Sequence, residues 1–465
     1  MQIHVVQSGD TIWRIAQNYG SDMNQIVLLN ELDNPDMLVV GQSLVVPEPG
    51  REYVIQAGDN LWKIARMFGV TVQELAVANN ITNPAEIYVG QMVSNPYFLH
   101  TVQADEYIWG IDGLSAGQVS YNNGDPEPII PGQTFRFPIT NQPVIDVNAY
   151  TTQMDKQGKA EVMREGKYLT YLSPSMYSVR EDGTLTELRD QSVLEAARAN
   201  DAAPLIVVTN FKQSELNSDL AATLLRNSET QETFITNLLE KLRSEGYAGV
   251  NFDFEYVYPE DRENYNAFLR RVVSRLHPEG FLVSTSLAPK ESAVQQGLLY
   301  EAHDYAAHGD IVDFVMLMTY EWGWAGGRPW AIAPINEVRD VLDYAVTVIP
   351  REKILMGMPL YGRDWNIPWV ESTTARTISP KEAVQLAAKY GVSIQYDETY
   401  QSPFFRYMDE NGQEHEVWFE DARSVQAKYD TVKEYGLRGV FYWVLGNSFP
   451  QNWAVLQDNF RIRKI

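Results

Sequence analysis

Asn251, Asp253 and Glu255 fall at every second position of the run Gly249-Val250-Asn251-Phe252-Asp253-Phe254-Glu255. Strand side chains alternate, so the carboxamide and both carboxylates share one face while Phe252 and Phe254 take the other. Acidic groups on an otherwise apolar strand are unfavourable unless they are paired or used. One reading is a core strand with a polar edge. The other is a reaction site. Two carboxylates facing one cavity push their proton affinities apart, so that one stays protonated near neutral pH and serves as a general acid.

The elements that must position this run are legible around it. Residues 229–245 carry apolar side chains at helical spacing (Phe234, Leu238, Leu239, Leu242), and Gly246 is a helix stop. Helix, tight turn, apolar strand and polar strand end form a β/α unit, and in a β/α barrel the C-terminal strand ends carry the chemistry. From Pro143 onward strand and helix patterns alternate, the mark of a parallel α/β domain. Strands are predicted over 144–149, 169–172, 205–209, 249–255, 282–286, 311–320, 354–359 and 439–443. They suffice to close a (β/α)8 TIM barrel over 143–465 with the Asn-x-Asp-x-Glu run on its fourth strand. A small α+β insertion is predicted at about 375–421. It has a helix over 383–390, strands over 393–400, 404–408 and 416–419, and a hairpin turn at Asp409-Glu410-Asn411-Gly412.

This run resembles the fourth-strand signature of family 18 glycoside hydrolases, D-G-x-D-x-D-x-E. Ala248 stands at the first Asp and Asn251 at the second, while Asp253 and Glu255 are retained. The resemblance implies that Glu255 is the general acid/base. Asp253 would orient and stabilise the substrate's N-acetyl group, whose oxygen attacks the anomeric carbon in place of an enzyme carboxylate. Met318-Thr319-Tyr320-Glu321 is similar to the family's M-x-Y-D, with Glu321 for Asp. By that likeness Tyr320 hydrogen-bonds the N-acetyl group, and Asn251 and Glu321 are supporting residues. Met358-Pro359-Leu360-Tyr361-Gly362-Arg363 is also similar to the family, which makes Tyr361 a substrate-binding candidate. Trp443, closing the eighth strand, matches the family's Trp beneath the reacting sugar, although an isolated Trp there would more often be core. Trp322 and Trp324 lie on a Gly-rich loop over 322–330 and suit stacking on a pyranose, or form a packed corner. Tyr150, after the first strand, is a further subsite candidate.

The first hundred residues hold an internal repeat. Val6-Gln7-Ser8-Gly9-Asp10-Thr11-Ile12-Trp13 recurs 49 residues later as Ile55-Gln56-Ala57-Gly58-Asp59-Asn60-Leu61-Trp62. Asn30 and Asn79 keep the same offset, as do the two Val-Gly-Gln runs. Each unit reads as strand, helix, helix, strand, with modules over 1–48 and 51–97. A third, degraded copy, or a structured linker, is expected over 98–139, where Val102-Gln103-Ala104-Asp105-Glu106-Tyr107-Ile108-Trp109 aligns with the others. The repeats resemble LysM domains, which implies binding to N-acetylglucosamine-containing glycan. Asp10, Thr11, Asp59 and Asn60 in the first loops are the carried-over contacts, although each could simply cap a helix or make a turn. Tandem weak modules would tether an enzyme to a polymer through effective concentration.

Bulk properties narrow the partners. The 465 residues carry 37 basic and 61 acidic side chains, a net charge of −24, which argues against nucleic acid or an anionic membrane. The chain has no cysteine, so disulfides and thiolate sites are excluded. No apolar run is long enough to span a bilayer, and the N-terminus lacks the pattern of a secretion signal. His303, Asp304 and His308 fit no usual ligand spacing, so no metal and no cofactor is expected. A monomer is expected. The whole combination resembles the spore cortex-lytic enzymes of endospore-forming bacteria. It implies an N-acetylglucosaminidase acting on cortex peptidoglycan or muropeptides during germination, placed at the spore's coat–cortex boundary. The alternatives are a chitinase and a non-hydrolytic glycan-binding coat protein.

Overall fold

The computed structural model describes residues 1–104, 131, 134–139, 142–212 and 215–465. The chain divides into two compact units, one holding most of residues 1–143 and the other built around Val144–Ile465.

Both repeats form βααβ modules. In the first, strands Gln2–Val5 and Ser43–Val46 pair into a two-stranded sheet, with helices Ile12–Tyr19 and Met23–Leu29 between them. The second repeats this with Glu52–Val54, Leu61–Phe68, Val72–Ala78 and Met92–Ser94. Local sequence dictates the helix ends. Thr11 and Asn60 cap the first helices, and Gly20 and Gly69 end them in the left-handed region. The recurring asparagines are structural. Asn79 Nδ2 donates to the Leu75 and Ser94 carbonyls and its Oδ1 accepts from Ser94 N, which ties the second helix to the last strand. Asn30 makes the equivalent bonds to Ile26 and Val45. In the third copy, Tyr97–Thr101 pairs antiparallel with Thr134–Pro138. The segment carrying Asp105, Glu106 and Trp109 lies outside the described residues.

Eight parallel strands close the second unit into a barrel: Val144–Thr151, Tyr171–Pro174, Ala203–Thr209, Gly249–Asp253, Leu282–Leu287, Phe314–Leu317, Ile354–Pro359 and Gly439–Trp443. The eighth pairs back onto the first in parallel. Several expected boundaries shift. The second strand begins at Tyr171, because Gly166–Tyr168 forms a turn of 3-10 helix. The sixth strand begins at Phe314, because the apolar residues before it finish the helix Tyr305–Ile311, which Asp304 caps. The fourth strand ends at Asp253, and Glu255 stands just beyond it, before Tyr256 at φ 52°.

The insertion after the seventh strand is a five-stranded antiparallel sheet with the helix Pro380–Tyr390 against it. The sheet starts ahead of residue 375, because Gly362–Ile367 pairs with both Arg376–Ile378 and Glu414–Trp418. Phe405, Val417 and Phe419 bury their side chains against Ala383 and Ala387 of the helix.

Candidate active site

The alternating run does what its spacing requires. Phe252 and Phe254 are fully buried against Phe268 of the helix Arg262–Leu276, while Asp253 and Glu255 open into a cavity at the C-terminal end of the barrel. The cavity measures about 310 Å³, and Tyr150, Ser286, Tyr300, Tyr320, Glu321, Trp322 and Trp443 also line it. That size suits one small polar ring with its substituents, at the lower end of ligand-pocket volumes.

Residues that the sequence does not single out hold Glu255 in place. Asn210, just past the third strand, accepts from Glu255 N at 3.1 Å and donates to Glu255 O at 2.8 Å. His303 pins the neighbouring backbone. Its Nδ1 accepts from Ala288 N, so Nε2 carries the proton and donates to the Phe254 carbonyl at 2.9 Å. Burial pushes His303 down to about 4, so it stays neutral and fixes one strand end against the next. Its His-Asp spacing to Asp304 and His308 therefore serves the backbone and a helix cap.

Asn251 sits below the carboxylates, fully buried. Its Oδ1 accepts from Tyr150 Oη at 2.7 Å and from Ser286 Oγ at 3.0 Å, and its Nδ2 donates to Ser284 Oγ at 3.1 Å. Ser286 belongs to the fifth strand. The alternation Ser284-x-Ser286, facing Asn251 across the sheet, was the available signal for it.

The site's electrostatics follow from burial. Loss of solvent raises Asp253 to about 6, partly offset by the Ser286 hydroxyl, which favours the charged form. Burial, then the Asp253 charge, then Glu321 raise Glu255 to about 8. Glu255 is thus the carboxyl that keeps its proton at neutral pH. Tyr150 and Tyr320 are pushed well above their ordinary value by burial, so both remain neutral hydroxyls.

Tyr320 and Glu321 follow the short sixth strand. Glycine at 357 makes room for the Tyr320 ring, since a Cβ there would come within 2.7 Å of it and of the Leu317 carbonyl. Glu321, at φ 70°, turns the chain in the left-handed region, and its Oε1 accepts from Arg363 Nη2 at 2.7 Å and from the Tyr361 hydroxyl. Tyr361 is 2% exposed and is absent from the cavity wall, so it orients Glu321 instead of meeting a ligand there. Trp443 lies 5.4 Å from the Tyr150 ring and forms one wall with it.

Trp322 lines the cavity but Trp324 does not. It is 56% exposed, and its indole folds over Gly326 and Gly327, where any Cβ would collide with it. Ala375 N bonds Ala325 O and Trp365 Nε1 bonds Gly327 O, so the insertion fastens this loop.

In the N-terminal modules the four loop candidates all do local work. Asp10 accepts from Gln7 N, and Asp59 from Gln56 N and the Tyr53 hydroxyl. Thr11 and Asn60 accept from Arg14 N and Lys63 N.

The profile described as Glycosyl hydrolases family 18 matches residues 150–447. The chain belongs to this family. LysM domains match at 4–47 and 53–96. Similarity to individual relatives extends over the whole chain. The cortical fragment-lytic enzyme of Bacillus subtilis (strain 168) is 45% identical, covering 100% of this chain and 99% of that protein. The protein of the same name from Bacillus anthracis is also 45% identical, with 100% and 99% covered. The crystal structure of the Bacillus megaterium QM B1551 spore cortex-lytic enzyme SleL matches with a TM-score of 0.79 at 40% identity, covering 100% of this chain and 99% of that one. Family 18 membership makes the protein a glycoside hydrolase, and the barrel cavity is its candidate active site.

Proposed function

We propose that this glycoside hydrolase cleaves the bond after N-acetylglucosamine in spore cortex peptidoglycan or its muropeptide fragments, with retention of configuration. The observation that carries this reading is the pairing of Asp253 and Glu255 at the end of one strand in a ring-sized cavity. Glycosidases with an enzyme nucleophile set two carboxylates on opposite sides of the scissile bond. Here both approach from the same side, and Glu321, the third carboxylate in the wall, is held by Arg363 and Tyr361. The substrate's own acetamido oxygen is left as the nucleophile.

In the proposed sequence the Glu255 proton passes to the glycosidic oxygen as the C1–O bond breaks. The acetamido oxygen bonds C1, while Asp253 accepts from the acetamido N–H and Tyr320 Oη donates to the acetamido oxygen. Trp443 forms an apolar floor beneath the ring and excludes water. Water then adds to C1, returns a proton to Glu255 and reopens the acetamido ring. A proton donor placed this way contributes about 10²–10⁴-fold. The LysM modules would hold the enzyme on the insoluble polymer, in keeping with the cortex-lytic relatives and with a place in the spore.

Digestion of cortex muropeptides beside chitin oligomers, followed by NMR of the first-formed anomer, tests the reading. New N-acetylglucosamine reducing ends that appear first as the β-anomer are expected. An α-anomer at first turnover would rule out the acetamido route, and cleavage of chitin alone would reassign the substrate.

A further inference from the structure

Asn251 gives Asp253 a neighbour that has no acidic proton to share. Its hydrogen bonds run to Tyr150 and Ser286 through Oδ1 and to Ser284 through Nδ2. Yet the Asp253 Oδ1 is closed off from solvent and has no hydrogen-bond partner. A carboxylate that must change charge state or orientation there needs a donor that can come and go.

Tyr150 Oη, Ser286 Oγ and Asn251 Oδ1 form a closed triangle with edges of 2.7, 2.9 and 3.0 Å. Three contacts are available, but the two hydroxyls carry only two protons. The shortest edge, Tyr150 to Asn251, already gives the carboxamide oxygen one donor. The Ser286 proton can therefore leave the triangle, and Ser286 and Asp253 directly follow the register partners Thr285 and Phe252 on adjacent parallel strands, both in the cavity wall.

We propose that Ser286 is a positioning residue for Asp253, its hydroxyl turning out of the triangle to donate to the Asp253 carboxylate and turning back when Asp253 is protonated. Rotation about one C–O bond thus supplies the donor that a second carboxylic acid would supply by sharing a proton. The other groups facing Asp253 are Glu255 on its own strand end, Tyr150 from the first strand, Tyr320 beyond the sixth and Tyr265 from the helix behind. All three tyrosines are held neutral by burial, so Glu255 is the charge-changing neighbour.

The proposal rests on the role given to Asp253 above. Its test is the pH dependence of kcat for the full chain and its Ser286→Ala and Ser286→Cys variants on cortex muropeptides. Donation to the charged form holds the Asp253 pKa down, so its loss raises that pKa. In Ser286→Ala the acid limb should move to higher pH by about one unit, and kcat should fall roughly tenfold with KM within about twofold. Cysteine, a weaker donor, should give an intermediate shift. Asn251→Asp added to Ser286→Ala should restore activity on the acid side, because a second acid can again share a proton. An acid limb that coincides with wild type in Ser286→Ala, or in Ser286→Cys should the alanine variant not fold, overturns the proposal. So does a lowered Tm with an unmoved limb, which would make Ser286 a spacer. If wild type itself cleaves nothing, the hydrolase reading fails, a separate outcome that removes this proposal with it.

Discussion

Asp253 and Glu255 are both shifted upward by burial, to about 6 and about 8, and two pH effects follow. In the proposed mechanism activity needs protonated Glu255 and charged Asp253, so kcat is expected to rise through about pH 6 and fall through about pH 8. Stability runs differently. Both groups bind protons more tightly folded than unfolded, so their contribution is present at low pH and lost as pH rises through the folded values. Glu255→Gln removes that loss. Its Tm should exceed wild type by a few degrees at pH 8, with the gap closing below the ordinary carboxylate range, as calorimetry across pH would show. Tyr320→Phe should lower kcat roughly 10²-fold with little change in KM. The polar residues on this strand were legible because strand alternation and residue type coincide in Asn251, Asp253 and Glu255. Asn210 was not, since its work depends on a contact across the barrel that no local pattern encodes, and Ser286 showed only as the alternation Ser284-x-Ser286, without its facing partner.

Secondary-structure elements set the positions of these groups, and their boundaries were read less well than their order. The apolar run ahead of Phe314 suits a helix end as well as a strand start, and only packing decides between them. Gly362–Ile367 was read for its Tyr-Gly-Arg motif, and its pairing as an insertion strand depends on partners some 50 residues away. Asn210 is the clearest test at this scale, because it clamps both backbone polar groups of Glu255 from a neighbouring strand end. Asn210→Ala should reduce kcat about 10–10²-fold while the Glu255 side chain itself is unchanged. Steady-state kinetics with a matched melting curve would separate this from unfolding. In the second module, Asn79→Leu leaves Ser94 N and two carbonyls without their partner and should destabilise the module by about 1–3 kcal/mol, read by denaturant unfolding.

At the scale of the whole molecule, a small catalytic cavity is joined to repeated glycan-binding modules on one chain. Each module alone needs only weak affinity, because linked modules can bind the polymer about 10²–10⁴-fold more tightly than either does alone. Asn79→Leu should therefore weaken sedimentation with insoluble cortex far more than it slows turnover of soluble muropeptides, and comparing the two assays checks this. The repeat was plain in the sequence. The loop residues proposed as glycan contacts also cap helices and close turns within their own modules, work that the same residue types do in many folds. The central claim is that Glu255 is the acid of a cortex hydrolase. It is tested most directly by digesting purified cortex muropeptides with wild type and Glu255→Gln and identifying the products by mass spectrometry and reducing-end analysis. New N-acetylglucosamine reducing ends from wild type and none from the variant, with both proteins still sedimenting with cortex, is the predicted result. Equal cleavage by both would contradict the role of Glu255, and cleavage by neither would leave a glycan-binding protein in place of the enzyme.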